Sequence, residues 1–441
     1  MSLFLITLML FSPALFFYLF SIKYSFLFKI FLGNIIMYYF LTLFYFLEIK
    51  SDVINKSIIL VFVLSIIKLL LNLKNIKFKI NYFYLIILIN TELFLFITYL
   101  SLPIGDSLAY WFIKAKFFSY NLDIKYLPVP DYPNFISIIW SYSAYFFEDI
   151  EIFGRLILAF FFFTGIFIIF FDDLIHEKKK PIKFFYFFLL SVTYLFFSGF
   201  SNYEWRYLAT GYVDIFIFIF LYLSIFFFFS FLLFNKNWDY YFFSILFLGI
   251  LPSIKNEGLI ISLYFYLYYH LIFFIFYFKK FLNNRNYISF FLFIYFILYF
   301  HPIFIKMLYY YKISDYSVLT TASYFNINNL FDLNQIISKS SQILKYFLFN
   351  SASYFWIFLI IFILLTEINK SKRKSVFNFC LFSFLALLVL NSIYLFILYN
   401  VTILPFQWHL QTSFDRIYFQ IMGSYTALIF IFFKIKFSRT I

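Results

Sequence analysis

The chain has few charged residues, cysteines and histidines, the residue types on which soluble enzymes rely. Only 12% of its 441 residues are charged, and it has one cysteine and four histidines. The single Cys380 excludes an internal disulfide and a thiolate metal site, and the scattered histidines argue against a histidine metal cluster. Because a soluble domain carries about 25% charged residues, this composition indicates a chain solvated by lipid.

Apolar residues dominate what remains: 65% of the chain is hydrophobic and 29% is aromatic. Runs of about 17–25 apolar residues predict membrane-spanning helices. The pattern therefore predicts an all-α fold, a polytopic transmembrane bundle of about 13 spans. We place these spans at 3–20, 30–47, 57–72, 82–100, 152–171, 184–200, 212–234, 241–253, 258–278, 288–308, 343–366, 376–399 and 419–433.

The loops between the predicted spans differ in charge. Alternate loops contain most of the 34 basic residues but few of the 20 acidic ones. Since basic loops stay in the cytoplasm, the net charge of +14 is a signal of topology and gives no reason to expect a nucleic-acid partner. The alternation predicts outer-side polar segments at 101–151, 201–211, 309–342 and 400–418.

The segment 101–151 is the longest of these and has an internal helical pattern. Asp106 is placed to cap a helix that continues to about residue 120, and a second helix is predicted to begin near residue 131 and to reach about residue 147. Trp111, Ala115 and Phe118 share one face of the first helix by their spacing. Such amphipathic helices are expected to lie in the membrane interface with the apolar side toward lipid.

Four sequences on the outer side resemble motifs of one family. They are GDSLAYWFIKAKF (105–117) with DYPNF (131–135), YEWRYLATGYVD (203–214), SIKNEGL (253–259) and WHLQTSFDRIYFQ (408–420). Together they resemble the GT-C superfamily of polytopic glycosyltransferases, which includes protein O-mannosyltransferases and aminoarabinose transferases. Members carry the acidic loop directly after their first span. The resemblance therefore implies a catalytic module at 82–441 preceded by an N-terminal helical extension at 1–81.

The resemblance implies a reaction and residues that perform it. Asp106 matches the general base that takes the proton of an acceptor hydroxyl, and Asp214 matches a second acid that positions the acceptor or a cation. The donor would be a polyprenyl-phosphate-linked sugar, and the acceptor a lipid, glycan or protein. A requirement for a divalent cation stays open, and no metal-ligand set is assigned. The candidates for substrate contacts are Lys114, Lys116, Arg206, Arg416, Trp111 and Tyr132.

Each of these residues also has a purely structural interpretation. Asp106 could be only a helix N-cap, and Asp214 could serve only the helix dipole. The lysines could be interfacial residues whose stems lie along lipid. Three further residues have structural alternatives as well: Lys255 and Glu257 as a surface ion pair, and His409 as a hydrogen-bonding loop residue.

Two other classes of membrane protein compete with this interpretation. A transporter or flippase would carry charged residues along a path through the bilayer. A lipid-oligosaccharide polymerase or ligase would be expected to have an arginine-rich late loop, whereas 309–342 contains no arginine. The prediction is therefore a glycosyltransferase in the plasma (inner) membrane, with its site on the periplasmic or extracytoplasmic face.

Overall fold

The structure is a computed structural model, and it describes most but not all of the chain. Apart from a few single positions, it describes residues 2–18, 24–72, 107–128, 132–176, 213–235, 238–281, 333–349, 374–402 and 405–437. Nearly all of these residues are helical, and no β-strand occurs among them. The all-α prediction is therefore confirmed for this part of the chain.

The chain divides into two compact units: Met1–Ile215 with Lys306–Tyr316, and Phe216–Ile305 with Ser317–Ile441. The predicted boundary at residue 81 stays a prediction. The first two helices of the chain contact later helices of the first unit, and the third contacts the first. The helices of the first unit are α1 Ser2–Tyr18, α2 Phe26–Phe46, α3 Ser51–Leu71, α4 Ile113–Ser119, α5 Phe135–Ser141 and α6 Ile150–His176.

The second unit contains longer, mostly apolar helices, of which α7 begins two residues before the unit boundary. A π-helical stretch, Phe231–Asn235, follows α7. The helices are α7 Asp214–Ser230, α8 Trp238–Ile254, α9 Glu257–Phe281, α10 Leu333–Phe349, α11 Lys374–Val401 and α12 Phe406–Phe437.

A close helix approach and polar contacts hold the first unit together. Gly33 of α2 lies against the backbone of Pro13 in α1, so closely that a Cβ atom would collide with the Pro13 carbonyl. The Ser12 and Tyr142 hydroxyls are 2.9 Å apart, and Ser65 Oγ donates to the Leu15 carbonyl at 2.5 Å. Since lipid is as apolar as a leucine side chain, such small residues and polar contacts define which helices associate.

The second unit is built around α7, whose apolar window Asp214–Leu233 is fully buried. Phe218 stacks on Phe419 at 5.1 Å and Tyr222 packs edge-on against Phe430 at 5.9 Å, so α7 packs against α12. A chain of hydrogen bonds links α9, α11 and α12. Tyr264 Oη donates to Asn391 Oδ1 at 2.8 Å, and Asn391 Nδ2 donates to Ser424 Oγ at 3.3 Å.

Four helices among the described residues are long and apolar enough to cross a membrane. Their length and composition support the assignment as a membrane protein. The predicted spans 82–100, 184–200 and 288–308 lie outside the described stretches. Shorter apolar helices are found at Phe4–Phe17, Trp238–Ile254 and Arg416–Phe432. The candidate spans are Leu27–Phe46, Ser51–Leu71, Asp214–Leu233 and Asn378–Val401.

Two of the predicted outer segments contain the start of a helix. Within 400–418, α12 begins at Phe406 and is continuous from there. Within 309–342, α10 begins at Leu333. A hydropathy average does not separate such helix starts of mixed polarity from loops.

Candidate functional site

The described part of the predicted outer segment 101–151 is helical and lies in the first unit. We call its elements Ser107–Phe112, α4 and α5 the platform. A π-helical turn, Ser107–Phe112, leads directly into α4, which ends at Ser119. Trp111, Ala115 and Phe118 are each at most 1% exposed, which confirms that they share a buried face. The expected contact with lipid is wrong for this face, because Phe118 packs on Tyr45 at 4.9 Å and Trp111 on Tyr132 at 5.4 Å.

Lys114 lies on the same buried face and is 0% exposed. Its ammonium donates to the Tyr132 carbonyl and, at 2.9 Å, to Asn134 Oδ1. Both acceptors lie just before α5, so the cation joins the first helix of the platform to the start of the second. An interfacial lysine would extend its ammonium to water, and Lys114 does not do so.

Lys116 has a different environment although it is only two residues further along α4. Its side chain is exposed, and its ammonium lies 4.6 Å from the centre of the Phe112 ring. A cation held over an aromatic face keeps most of its hydration and its freedom to bind an anion. Lys116 is therefore the accessible cation of this helix.

Two tryptophans of the platform differ in how their indole N–H groups are satisfied. Trp140 Nε1 donates to the Ile150 carbonyl at 2.7 Å, and Gly154 leaves the space that the Trp140 ring occupies against α6. Trp111 is equally buried, but its Nε1 has no hydrogen-bond partner among the described residues. A buried donor without an acceptor costs about 1–3 kcal/mol, so the Trp111 N–H is a ready contact for a ligand oxygen.

Of the remaining predicted site residues, the structure describes Asp214 and Arg416. Asp214 is 2% exposed at the first residue of α7, where the helix dipole favours a carboxylate. Arg416 is partly buried on α12. Asp106 and Arg206 lie outside the described residues. The roles predicted for Asp106 and Arg206 therefore stay predictions.

Sequence reasoning gave no role to Arg155, which is 0% exposed near the start of α6. Its guanidinium contacts Glu151 Oε1 at 3.4 Å, one helical turn earlier. The sequence did contain a signal for this ion pair, because an arginine within an apolar run must be paired or hydrogen-bonded. The predicted span began at residue 152 and so separated Arg155 from its partner.

Further polar residues of two of the quoted motifs lie within the second unit. Lys255 Nζ forms an ion pair with Glu257 Oε1 at 3.1 Å, and both residues influence the charge of His409. Burial lowers the pKa of His409, Glu257 raises it and Lys255 lowers it. The expected ion pair is confirmed, but Lys255 is only 7% exposed, so it is not a surface pair.

No group of three or more metal-ligating side chains occurs among the residues that the structure describes. Comparison of the chain with protein-family models, with curated proteins and with solved structures finds no match. The likeness to GT-C enzymes thus rests on the four sequence motifs alone.

Proposed function

We propose that the protein is a membrane glycosyltransferase that moves a sugar from a polyprenyl-phosphate-linked donor to an acceptor hydroxyl. The single observation that supports this most is the helical platform that follows Asp106 in the sequence. Its helix α4 is fixed by the buried Lys114 and presents an exposed cation at Lys116. A carboxylate that directly precedes a fixed helix in the sequence, with an accessible cation on that helix, suits proton removal and phosphate binding.

The proposed reaction assigns each group one task. Asp106 accepts the proton of the acceptor hydroxyl while that oxygen attacks the anomeric carbon of the sugar. The bond between this carbon and the phosphate oxygen breaks, and the polyprenyl phosphate leaves with the electron pair. General-base assistance contributes about 10²–10⁴ in rate. Lys116 stabilises the charge that develops on the phosphate, and Lys114 holds the platform in position.

The decisive variant is Asp106→Asn, compared with Asp123→Asn in the same outer segment. Asp123 is an acid of the same type that pairs with Lys125 at 2.8 Å and caps a short 3₁₀ turn. Transfer of radiolabelled sugar from polyprenyl-phosphate donors should be lost in Asp106→Asn, by at least about 100-fold, and kept in Asp123→Asn. Equal activity of the two variants at equal amounts of inserted protein would refute the proposal.

A second comparison tests whether the platform contacts substrate. Trp111→Phe removes an indole N–H that has no acceptor among the described residues, whereas Trp140→Phe removes one that bonds Ile150. We expect Trp111→Phe to raise the KM for one substrate with little change in unfolding temperature. Trp140→Phe should lower the unfolding temperature. The reverse pattern would place the substrate away from Trp111.

A further inference from the structure

Helix α10, Leu333–Phe349, combines apolar and polar residues in a regular pattern. Apolar residues recur two turns apart on one side of the helix, and polar residues fill the side next to them. The apolar set is Ile336, Ile337, Ile343 and Leu344, and the polar set is Asn334, Ser338, Ser341 and Lys345. The helix is therefore amphipathic, and it is not among the described helices that are apolar enough to cross a membrane.

Two contacts fix one side of α10 against the first turn of α12. Gln407 Nε2 donates to Gln342 Oε1 at 2.7 Å. The Lys339 ammonium lies 5.6 Å from the centre of the Phe406 ring, where the cation is attracted to the aromatic face. Both helices belong to the second unit. We call α10 together with residues 406–414 the α10–α12 surface.

The exposed side of α10 is divided lengthwise into an apolar half and a polar half. Ile337 and Leu344 are 68% and 56% exposed, whereas the neighbouring Ile343 is 6% exposed. Ser341 and Lys345 are exposed next to them around the helix. A helix surrounded by water would direct its aliphatic side chains toward protein, and a helix surrounded by lipid would not expose a lysine. The division of this side therefore fits the boundary between lipid and water.

Trp408 indicates the same position for the beginning of α12. It follows Gln407, the residue that bonds α10, and it is 56% exposed. Tryptophan is enriched where lipid meets water, because its ring is apolar and its N–H group is polar. An exposed indole of α12 and exposed aliphatic side chains of α10 thus belong to one surface whose two helices are in contact.

The fixed charges of the α10–α12 surface have a single sign. Lys339 and Lys345 are its cations, and the sequence has no aspartate or glutamate at 333–349 or 406–414. Lys345 is exposed and Lys339 is partly exposed. A basic residue near a membrane surface strengthens binding to anionic lipid by about fivefold. An anionic phospholipid also offers acyl chains to the exposed aliphatic side chains, which a soluble anion does not.

We propose that α10 lies along the membrane interface and that the α10–α12 surface binds an anionic phospholipid. Ile337 and Leu344 contact its acyl chains, and the ammonium groups of Lys339 and Lys345 contact its headgroup. The proposal does not depend on the proposed reaction, since none of these residues has a task in it.

The orientation of α10 is tested with spin labels on the full chain in nanodiscs. Cys380, the one cysteine of the sequence, is 5% exposed and is replaced by alanine. A nitroxide is then attached to Ile337→Cys, Leu344→Cys or Ser338→Cys. Collisions with oxygen, which dissolves in lipid, are compared with collisions with a water-soluble nickel chelate. We expect oxygen to dominate at positions 337 and 344, at equal depth, and the chelate to dominate at position 338.

The comparison of positions 337 and 344 separates a flat helix from an upright one. They are two turns apart, about 10 Å along the helix axis, so a helix that enters the bilayer steeply would show two different depths. Access of the chelate to both positions would place α10 in water, and protection from both reagents would place a protein surface over it. Each of these three results would overturn the proposal.

The lipid is tested by fluorescence quenching at Trp408. Nanodiscs are prepared with increasing fractions of brominated phosphatidylglycerol, which is anionic, or brominated phosphatidylcholine, which has no net charge. The difference between wild-type and Trp408→Phe protein gives the quenching of this residue alone. We expect phosphatidylglycerol to be preferred by about fivefold or more, and the preference to fall at high salt. Equal quenching by the two lipids, or competition by inorganic phosphate at matched ionic strength, would refute the lipid assignment.

Variants assign the preference to the two lysines. Lys345→Gln should lower it by up to about fivefold, Lys345→Arg should keep it, and Lys339→Gln combined with Lys345→Gln should abolish it. Lys125→Gln is the matched control, because Lys125 is also exposed but pairs with Asp123 at 2.8 Å. An unchanged preference in the double variant would overturn the site. Should the double variant unfold early, Lys345→Gln alone decides, since a surface substitution of this kind hardly alters stability.

Discussion

The replacement Lys114→Met removes the cation that joins α4 to the residues just before α5. Methionine has a similar length and would fill the same buried space, so the change isolates the ammonium. The Tyr132 carbonyl and the Asn134 amide oxygen would each lose a charged donor. We therefore expect the platform, and the unit that contains it, to become less stable.

The size of the effect follows from the two hydrogen bonds and the burial of the charge. A hydrogen bond to a charged group contributes about 1.5–3 kcal/mol, so two contribute roughly 3–6 kcal/mol. Removing a fully buried ammonium recovers part of its desolvation cost, which is several kcal/mol. The expected net loss is about 2 kcal/mol, or about 4–8 °C in unfolding temperature for a unit of about 200 residues.

Lys116→Met is the matched control, because Lys116 belongs to the same helix and is exposed. A surface substitution of this kind changes stability by less than about 0.5 kcal/mol. Thermal unfolding of both variants in nanodiscs, at one heating rate, gives the comparison. Equal unfolding temperatures would refute the structural role of Lys114. Loss of donor binding without loss of stability would instead assign its ammonium to the ligand.

Three further variants test packing and charge elsewhere. Gly33→Ala places a methyl group against the Pro13 carbonyl and should cost about 1–3 kcal/mol, measured as a lower unfolding temperature; an unchanged value would disprove the close approach. Asn391→Leu breaks the polar chain from Tyr264 and should cost about 0.6–1.7 kcal/mol, and no measurable loss would show that chain to be unimportant. The pKa of His409 is lowered by burial, so the unfolded chain binds more protons below about pH 6.5 and stability falls as the pH decreases through that value. His409→Phe should reduce this fall in a pH series of unfolding temperatures, and an identical pH dependence would count against a buried imidazole.

The helices were predictable from the sequence to a useful degree. The predicted span 30–47 corresponds to Phe26–Phe46, and 376–399 corresponds to Lys374–Val401. Long apolar runs report length and composition, which suffices for such helices. Helix starts with mixed polarity were missed, as at Phe406, because a hydropathy average cannot separate an amphipathic helix from a loop.

The burial of Lys114 was also encoded in the sequence, although it was not inferred. Lys114 lies three residues after Trp111 and four before Phe118, so it shares their face of the helix by the ordinary i, i+3, i+4 relation. Lys116 lies on the opposite side. Two lysines that look equivalent as interfacial cations are thus separated by the helical period, which predicts one to be buried and the other exposed.

Contacts between distant segments could not be predicted in this way. With 80 phenylalanines in the chain, an apolar position does not identify its partner, since lipid and protein are equally apolar surroundings. The hydrogen bonds that join Tyr264, Asn391 and Ser424 depend on how α9, α11 and α12 pack. Sequence spacing within one helix carries no information about that packing.

Rare residues therefore carry most of the specific information in this protein. Gly33 and Gly423 permit backbone-to-backbone approaches that any Cβ atom would block, and Asn391 connects three helices through hydrogen bonds. These residues are accounted for by packing. Packing does not account for two other polar groups: the Lys116 ammonium is accessible to water, and His409 Nδ1 is buried without a hydrogen-bond partner among the described residues. Because the chain has so few polar groups, we expect positions of this kind to serve binding or catalysis.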